Sequence, residues 1–167
     1  RTASDLLEGA GLASDDFDAA YIASSRMLAI TGTHMSSPST AAAVMKAVAL
    51  ARAHGTRVVL DIDYRPVLWG LAGAGDGASR FVASSAVTAR MEPLLPHCDL
   101  IVGTEEEIRI AGGDEDLDTA VQAIRDASAA TIVVKRGAAG CTIHSDAGAT
   151  FDVPGFPVEV LNTLGAG

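Results

Sequence analysis

The stretch Met27–Ile62, MLAITGTHMSSPSTAAAVMKAVALARAHGTRVVLDI, decides the fold. Its opening, Met27-Leu28-Ala29-Ile30-Thr31, reads as a strand ending at Gly32. Ser37 stands where an N-cap belongs, and Pro38 takes the first helical position, where a missing N–H costs nothing. Val44, Ala47, Val48 and Ala51 then recur at i, i+3, i+4 and i+7, which puts one apolar stripe on a helix. Gly55 is placed to close that helix. Arg57 to Ile62 forms the next strand, apolar enough to be buried on both faces. Strand, helix and strand in this order predict a right-handed βαβ unit.

The same alternation continues downstream. Residues 64–79 are glycine-rich and read as a loop. Val87, Met91, Leu94 and Leu95 mark a helix that Pro93 should break. Asp99 to Val102 is a short strand, and Glu105 to Ala111 a short helix stopped by Gly112-Gly113. Leu117, Ala120, Val121 and Ile124 form a second helical stripe, and Thr131 to Val134 another buried strand. Cys141–His144 and Ala149–Val153 pair as a hairpin around Asp146-Ala147-Gly148. Val158 to Leu161 is expected to be the last strand, running into Asn162-Thr163-Leu164-Gly165-Ala166-Gly167. The fold class is therefore α/β, a mostly parallel sheet with helices packed on it.

Composition narrows the function. The 167 residues make one domain-sized unit, with 49% hydrophobic and only 20% charged residues, which excludes a disordered chain. A net charge of −9 argues against a general nucleic-acid binder, because phosphate backbones require a basic face. No apolar run approaches a membrane span and no signal-peptide pattern is present, so a cytoplasmic protein is expected. Two cysteines, Cys98 and Cys141, are too few for a disulfide framework and read as buried, reduced thiols. The chain opens at Arg1 and stops inside a glycine turn, which reads as an excerpt of a longer protein: residues 1–167 form part of one domain.

Ligands of open α/β sheets bind beyond the carboxyl ends of the strands, so the residues there are the candidates. After the second strand comes Asp61-Ile62-Asp63-Tyr64-Arg65-Pro66-Val67-Leu68-Trp69. Arg65 in that setting can clamp a phosphate or carboxylate, or pair internally with an aspartate to anchor the loop. Gly103-Thr104-Glu105-Glu106-Glu107 places three acids at a helix start, where they suit the dipole or organise hydrated Mg²⁺. Lys135-Arg136-Gly137-Ala138-Ala139-Gly140 sets cations beside glycines that let backbone approach a ligand, or makes a plain tight turn. Gly165-Ala166-Gly167, with a helix expected next, would offer free N–H groups to an anion. Gly73-Ala74-Gly75 has the same letters without a preceding strand and reads as a turn. None of the four histidines shows metal spacing; His34 is notable for following the first strand directly.

Together these segments resemble the ribokinase-like (PfkB) family of carbohydrate kinases, over about Tyr21 to Gly167. The resemblance implies a Rossmann-like ribokinase fold with helices on both faces of the sheet, incomplete in this chain. It implies ATP-dependent phosphorylation of a sugar acid, 5-dehydro-2-deoxy-D-gluconate of myo-inositol breakdown, with 2-keto-3-deoxygluconate as the rival substrate and a non-catalytic nucleotide- or sugar-binding domain as the alternative. Gly165, Ala166 and Gly167 match the family's anion hole, and its catalytic aspartate is expected one residue further on. Lys135, Gly137 and Gly140 match the segment along the ATP phosphates. Arg65, with Asp63, matches the substrate or γ-phosphate contact. Glu106 matches the acid of Asn-x-x-Glu that acts on Mg²⁺ through water, Gly103 replacing the asparagine. Asn162 and Thr163 fall at a monovalent-cation loop, where K⁺ would bind. Partners implied are the sugar acid and ATP, in a chain that could form a homo-oligomer; neither nucleic acid nor membrane is expected.

Overall fold

The computed structural model describes residues 17–71 and 84–158. They form a six-stranded sheet in chain order: β1 (Met27–Thr31), β2 (Arg57–Asp61), β3 (Leu100–Thr104), β4 (Thr131–Lys135), β5 (Cys141–His144) and β6 (Thr150–Val153). The first four strands are parallel, and β5 and β6 return antiparallel as a hairpin. Five α-helices accompany them: α1 (Ala19–Ser24), α2 (Pro38–Ala53), α3 (Ser85–Met91), α4 (Glu105–Gly112) and α5 (Leu117–Ala127).

Local sequence explains most element ends. Pro38 does open α2, with Ser37 at the N-cap position. The Ser37 side chain does not cap, however: its hydroxyl meets Ser39 Oγ at 2.9 Å. His54 closes α2, and Gly55 follows with φ +72°. Pro93 breaks its helix as expected, so α3 stops at Met91 and a 3₁₀ segment runs from Glu92 to His97. The loop expected from residue 64 contains one ordered element, a 3₁₀ turn over Pro66–Trp69. The expected strand Val158–Leu161 and the glycine segments Gly73–Gly75 and Gly165–Gly167 lie outside the described residues, Val158 excepted. Val158 itself is exposed and not in a strand.

Because neighbouring parallel strands follow chain order, right-handed crossovers carry every connecting helix to the same face of the sheet. Burial agrees. Val58, Leu60, Ile101, Ile132 and Val134 point to that face and are at most 1% exposed. Their alternates Val59, Leu100, Val102 and Val133 are only half-buried. The α2 stripe of Val44, Ala47, Val48 and Ala51 joins the buried side, as do Ile108 of α4 and Ile124 of α5. Each fully buried Leu or Ile contributes about 2–3 kcal/mol relative to an exposed one. The helices therefore anchor one face, while the carboxyl ends of β1 to β4 form a single edge.

Cys98 is buried against the Leu94 carbonyl, and burial, then the nearby Asp99 charge, push its thiol up to about 12. It is unsuited to act as a nucleophile. Cys141 is half-buried, not fully buried.

Candidate active site at the carboxyl edge of the sheet

Register decides which residues meet. Thr31 pairs with Asp61, Asp61 with Val102, and Thr104 with Lys135. Side chains two apart share a face, so Asp61, Thr104 and Lys135 lie on one side of the edge. Lys135 Nζ reaches across the end of β3 to within 3.6 Å of Asp61 Oδ1. That is an ion-pair distance without a hydrogen bond, and Asp61 Oδ1 is buried with no other partner in the structure.

Beyond β2 the chain turns at Asp63, a non-glycine residue with φ +35°. Asp63 Oδ1 accepts from Arg65 Nε at 2.8 Å, so the internal aspartate–arginine pair exists. It engages only the inner nitrogen. The Arg65 side chain is 64% exposed, which leaves its outer fork to face an anion. An open cavity of about 360 Å³ lies beside it, lined by Thr33, Asp63, Arg65, Val67 and Leu68.

The start of α4 shows what the acidic run does. Thr104 Oγ1 accepts from Glu107 N at 3.3 Å while Glu107 Oε2 accepts from Thr104 N at 2.7 Å, a reciprocal capping box. The second oxygen, Oε1, accepts from Tyr64 N at 3.1 Å and ties the β2 loop to α4. Glu107 is thus committed to structure. Glu106 is exposed and makes no hydrogen bond or ion pair with the described residues. Gly103 has little room: a Cβ there would lie 2.9 Å from Ile62 Cδ1 and 3.2 Å from Glu107 Cβ.

After β4, Arg136 turns away from the edge to Asp152 at 2.9 Å. Gly137 has φ +56° in open space, whereas Gly140 has φ +93° and is packed so closely that a Cβ would overlap the Val153 carbonyl. The N–H of Gly140 is spent on the Gly137 carbonyl, at 3.0 Å. At the end of β1, Thr31 Oγ1 lies 2.6 Å from Thr33 Oγ1 and 3.2 Å from His34 Nδ1.

The carboxyl ends of the strands thus carry Asp63 and Arg65 after β2, Glu106 after β3, and Lys135 and Gly137 at the end of β4, and the direct contacts among the charged groups are Arg65 with Asp63 and Lys135 with Asp61. Asn162, Thr163, Gly165, Ala166 and Gly167 lie outside the described residues. The sequence reading did not single out Thr33 and left Glu107 undistinguished among the three acids at the helix start. The signal for Glu107 was available, since Thr104-x-x-Glu107 is a capping-box pattern. Thr33 had no signal beyond its place after a strand.

For Mg²⁺, the described residues contain no group of three or more His, Cys, Asp or Glu able to hold a metal by themselves. Mg²⁺ bound to nucleotide keeps several waters and needs only one or two carboxylates. An exposed Glu106 whose side chain has no partner among the described residues is compatible with that.

The sequence profile of the pfkB family of carbohydrate kinases matches residues 5–167. The chain belongs to this family. It is similar to the 5-dehydro-2-deoxygluconokinase of Bacillus licheniformis, with 32% identity over 161 residues, 93% of this chain and 45% of that relative. The crystal structure of a PfkB protein from Polaromonas sp. JS666 superposes with a TM-score of 0.71 at 30% identity, over 88% of this chain and 46% of that one. An E. coli protein described as a ribokinase II, solved with ATP and Mg²⁺, gives a TM-score of 0.75 at 21% identity, over 93% and 46%, a likeness of fold. The chain spans less than half the length of these relatives. Among the described residues no helix is long and apolar enough to cross a membrane.

Proposed function

We propose that this chain supplies the strand-edge part of an ATP-dependent sugar-acid kinase, whose substrate is 5-dehydro-2-deoxy-D-gluconate, phosphorylated at the 6-hydroxyl. The observation that carries this reading is the placement of Arg65 and Lys135 on one edge, in a chain of the pfkB family. The relative from B. licheniformis, named for that substrate, supports the choice.

In this reading Arg65 grips the carboxylate of the sugar acid with the two outer nitrogens that Asp63 leaves available. Val67 and Leu68 give the cavity an apolar wall for the carbon chain. Lys135 leaves Asp61 to offset charge on the transferring phosphoryl group, a small reorganisation because their contact is 3.6 Å and not a hydrogen bond. The N–H groups of Gly165, Ala166 and Gly167 would meet the charge that develops in the transition state. Mg²⁺ when bound neutralises phosphate charge, and Glu106 would hold one of its waters. Asn162 and Thr163 keep the proposed K⁺ role. Removal of the hydroxyl proton falls to the aspartate that the family places after Gly-Ala-Gly.

The test is phosphoryl transfer by the complete gene product, offered 5-dehydro-2-deoxy-D-gluconate and 2-keto-3-deoxy-D-gluconate in parallel. Preference for the first supports the reading, preference for the second moves the assignment to the rival acid, and transfer to neither overturns it.

A further inference from the structure

The two turns that wall the cavity share a neighbour that does not line it. Thr33 sits on the 3₁₀ turn Gly32–Ser36, while Val67 and Leu68 sit on the turn Pro66–Trp69 that follows Arg65. Behind both lies α3. Arg90 of that helix directs Nη1 to the carbonyls of Met35, at 3.3 Å, and Ser36, at 3.4 Å. The same guanidinium stands over the Trp69 ring, with Cζ 5.8 Å from the ring centroid. One cation thus donates to the first turn and makes a cation–π contact with the second. The next residue, Met91, packs so tightly under Gly32 that a Cβ there would come within 2.5 Å of its terminal methyl.

We infer that Arg90 is a positioning residue for the sugar-acid half of the site: it sets the distance between the Thr33 turn and the turn that follows Arg65. This rests on the function proposed above. Arginine suits this geometry, because its guanidinium can stand over an indole while its spread N–H groups reach two carbonyls. A lysine keeps the charge and loses the bridge. Since Arg90 is absent from the cavity lining, it acts on the substrate through the turns, and among the described residues no hydrogen bond or ion pair links it to Lys135 across the sheet edge.

The experiment uses the complete gene product with R90K, R90A, W69F and W69A. Steady-state kinetics against each substrate should show R90A and W69A raising KM for the sugar acid about tenfold, with KM for ATP within twofold of wild type. R90K should resemble R90A, W69F should stay near wild type, and the R90A/W69A double variant should be no worse than either single. Unchanged sugar-acid KM in a folded variant, or equal rises in both KM values, overturns the inference and leaves the function standing. If R90A does not fold, R90K decides. If the wild type phosphorylates no sugar acid, the functional reading fails. Amide hydrogen exchange then decides the bridge: R90K should speed exchange at residues 32–36 and 66–69 together, and exchange unchanged in either turn overturns it.

Discussion

The loop after β2 and the turn after β4 follow two strands whose last residues, Asp61 and Lys135, form an ion pair, and they are stabilised in opposite ways. The β2 loop depends on distant partners: Glu107 reaches back 43 residues to the Tyr64 amide, and Arg90 stacks on Trp69 from another helix. The β4 turn is closed by itself and its own hairpin. Arg136 N donates to the Gly140 carbonyl, Gly140 N to the Gly137 carbonyl, and the Arg136 guanidinium pairs with Asp152. A loop held from outside can carry a strained non-glycine residue such as Asp63 at φ +35°. A self-closed turn instead relies on glycine wherever the backbone enters the left-handed region.

The largest effect should come from breaking the self-closed turn. Gly140→Ala combines φ +93° with overlap on the Val153 carbonyl, so chemical denaturation should show a loss of about 3 kcal/mol. Gly137→Ala meets open space at φ +56° and should cost about 1 kcal/mol. Equal losses would remove the distinction between the two glycines. On the other side, Glu107→Ala strips the acceptor from two backbone amides, and about 2 kcal/mol should disappear in the same assay, with the glutamine variant losing less.

Substrate kinetics then separate the two loops by ligand. Arg65→Ala is expected to raise KM for the sugar acid about 30-fold, near 2 kcal/mol, with little change for ATP. Lys135→Ala should do the reverse, raising KM for ATP about tenfold. A shared response of both substrates to both variants would dissolve the division of labour.

The smallest effect concerns the hairpin. Burial, and then the Arg125 charge, hold the His144 imidazole below its ordinary value. The unfolded chain therefore protonates first as pH falls. Stability tied to the neutral ring is whole above about pH 6.5 and is lost as pH drops through the depressed folded value. His144→Gln should flatten that part of the acid stability curve slightly; an unaltered slope would show that the ring contributes nothing.

The same contrast explains what could be read from sequence. The βαβ unit, the break at Pro93 and the hairpin at Asp146-Ala147-Gly148 were legible because period, proline and glycine act locally. The places of Arg65 after β2 and Lys135 at the end of β4 were legible too, since each is a charged residue at or shortly beyond the end of an apolar run. The Arg90 bridge was not, since nothing local marks residue 90 as a neighbour of residues 35, 36 and 69. Glu106 and Glu107 were distinguishable only through the capping-box spacing, and it is Glu107 that the backbone claims. The resemblance implied helices on both faces of the sheet, whereas among the described residues the crossover helices cover one face, because the parallel strands follow one another in chain order.

The most direct measurement is transfer of label from [γ-³²P]ATP to 5-dehydro-2-deoxy-D-gluconate by the complete gene product, run beside Arg65→Ala and Lys135→Ala. The account predicts a labelled phosphate ester with the wild type and sharply less with each variant at subsaturating substrate. Absence of the ester, or undiminished labelling when both side chains are removed, would contradict it.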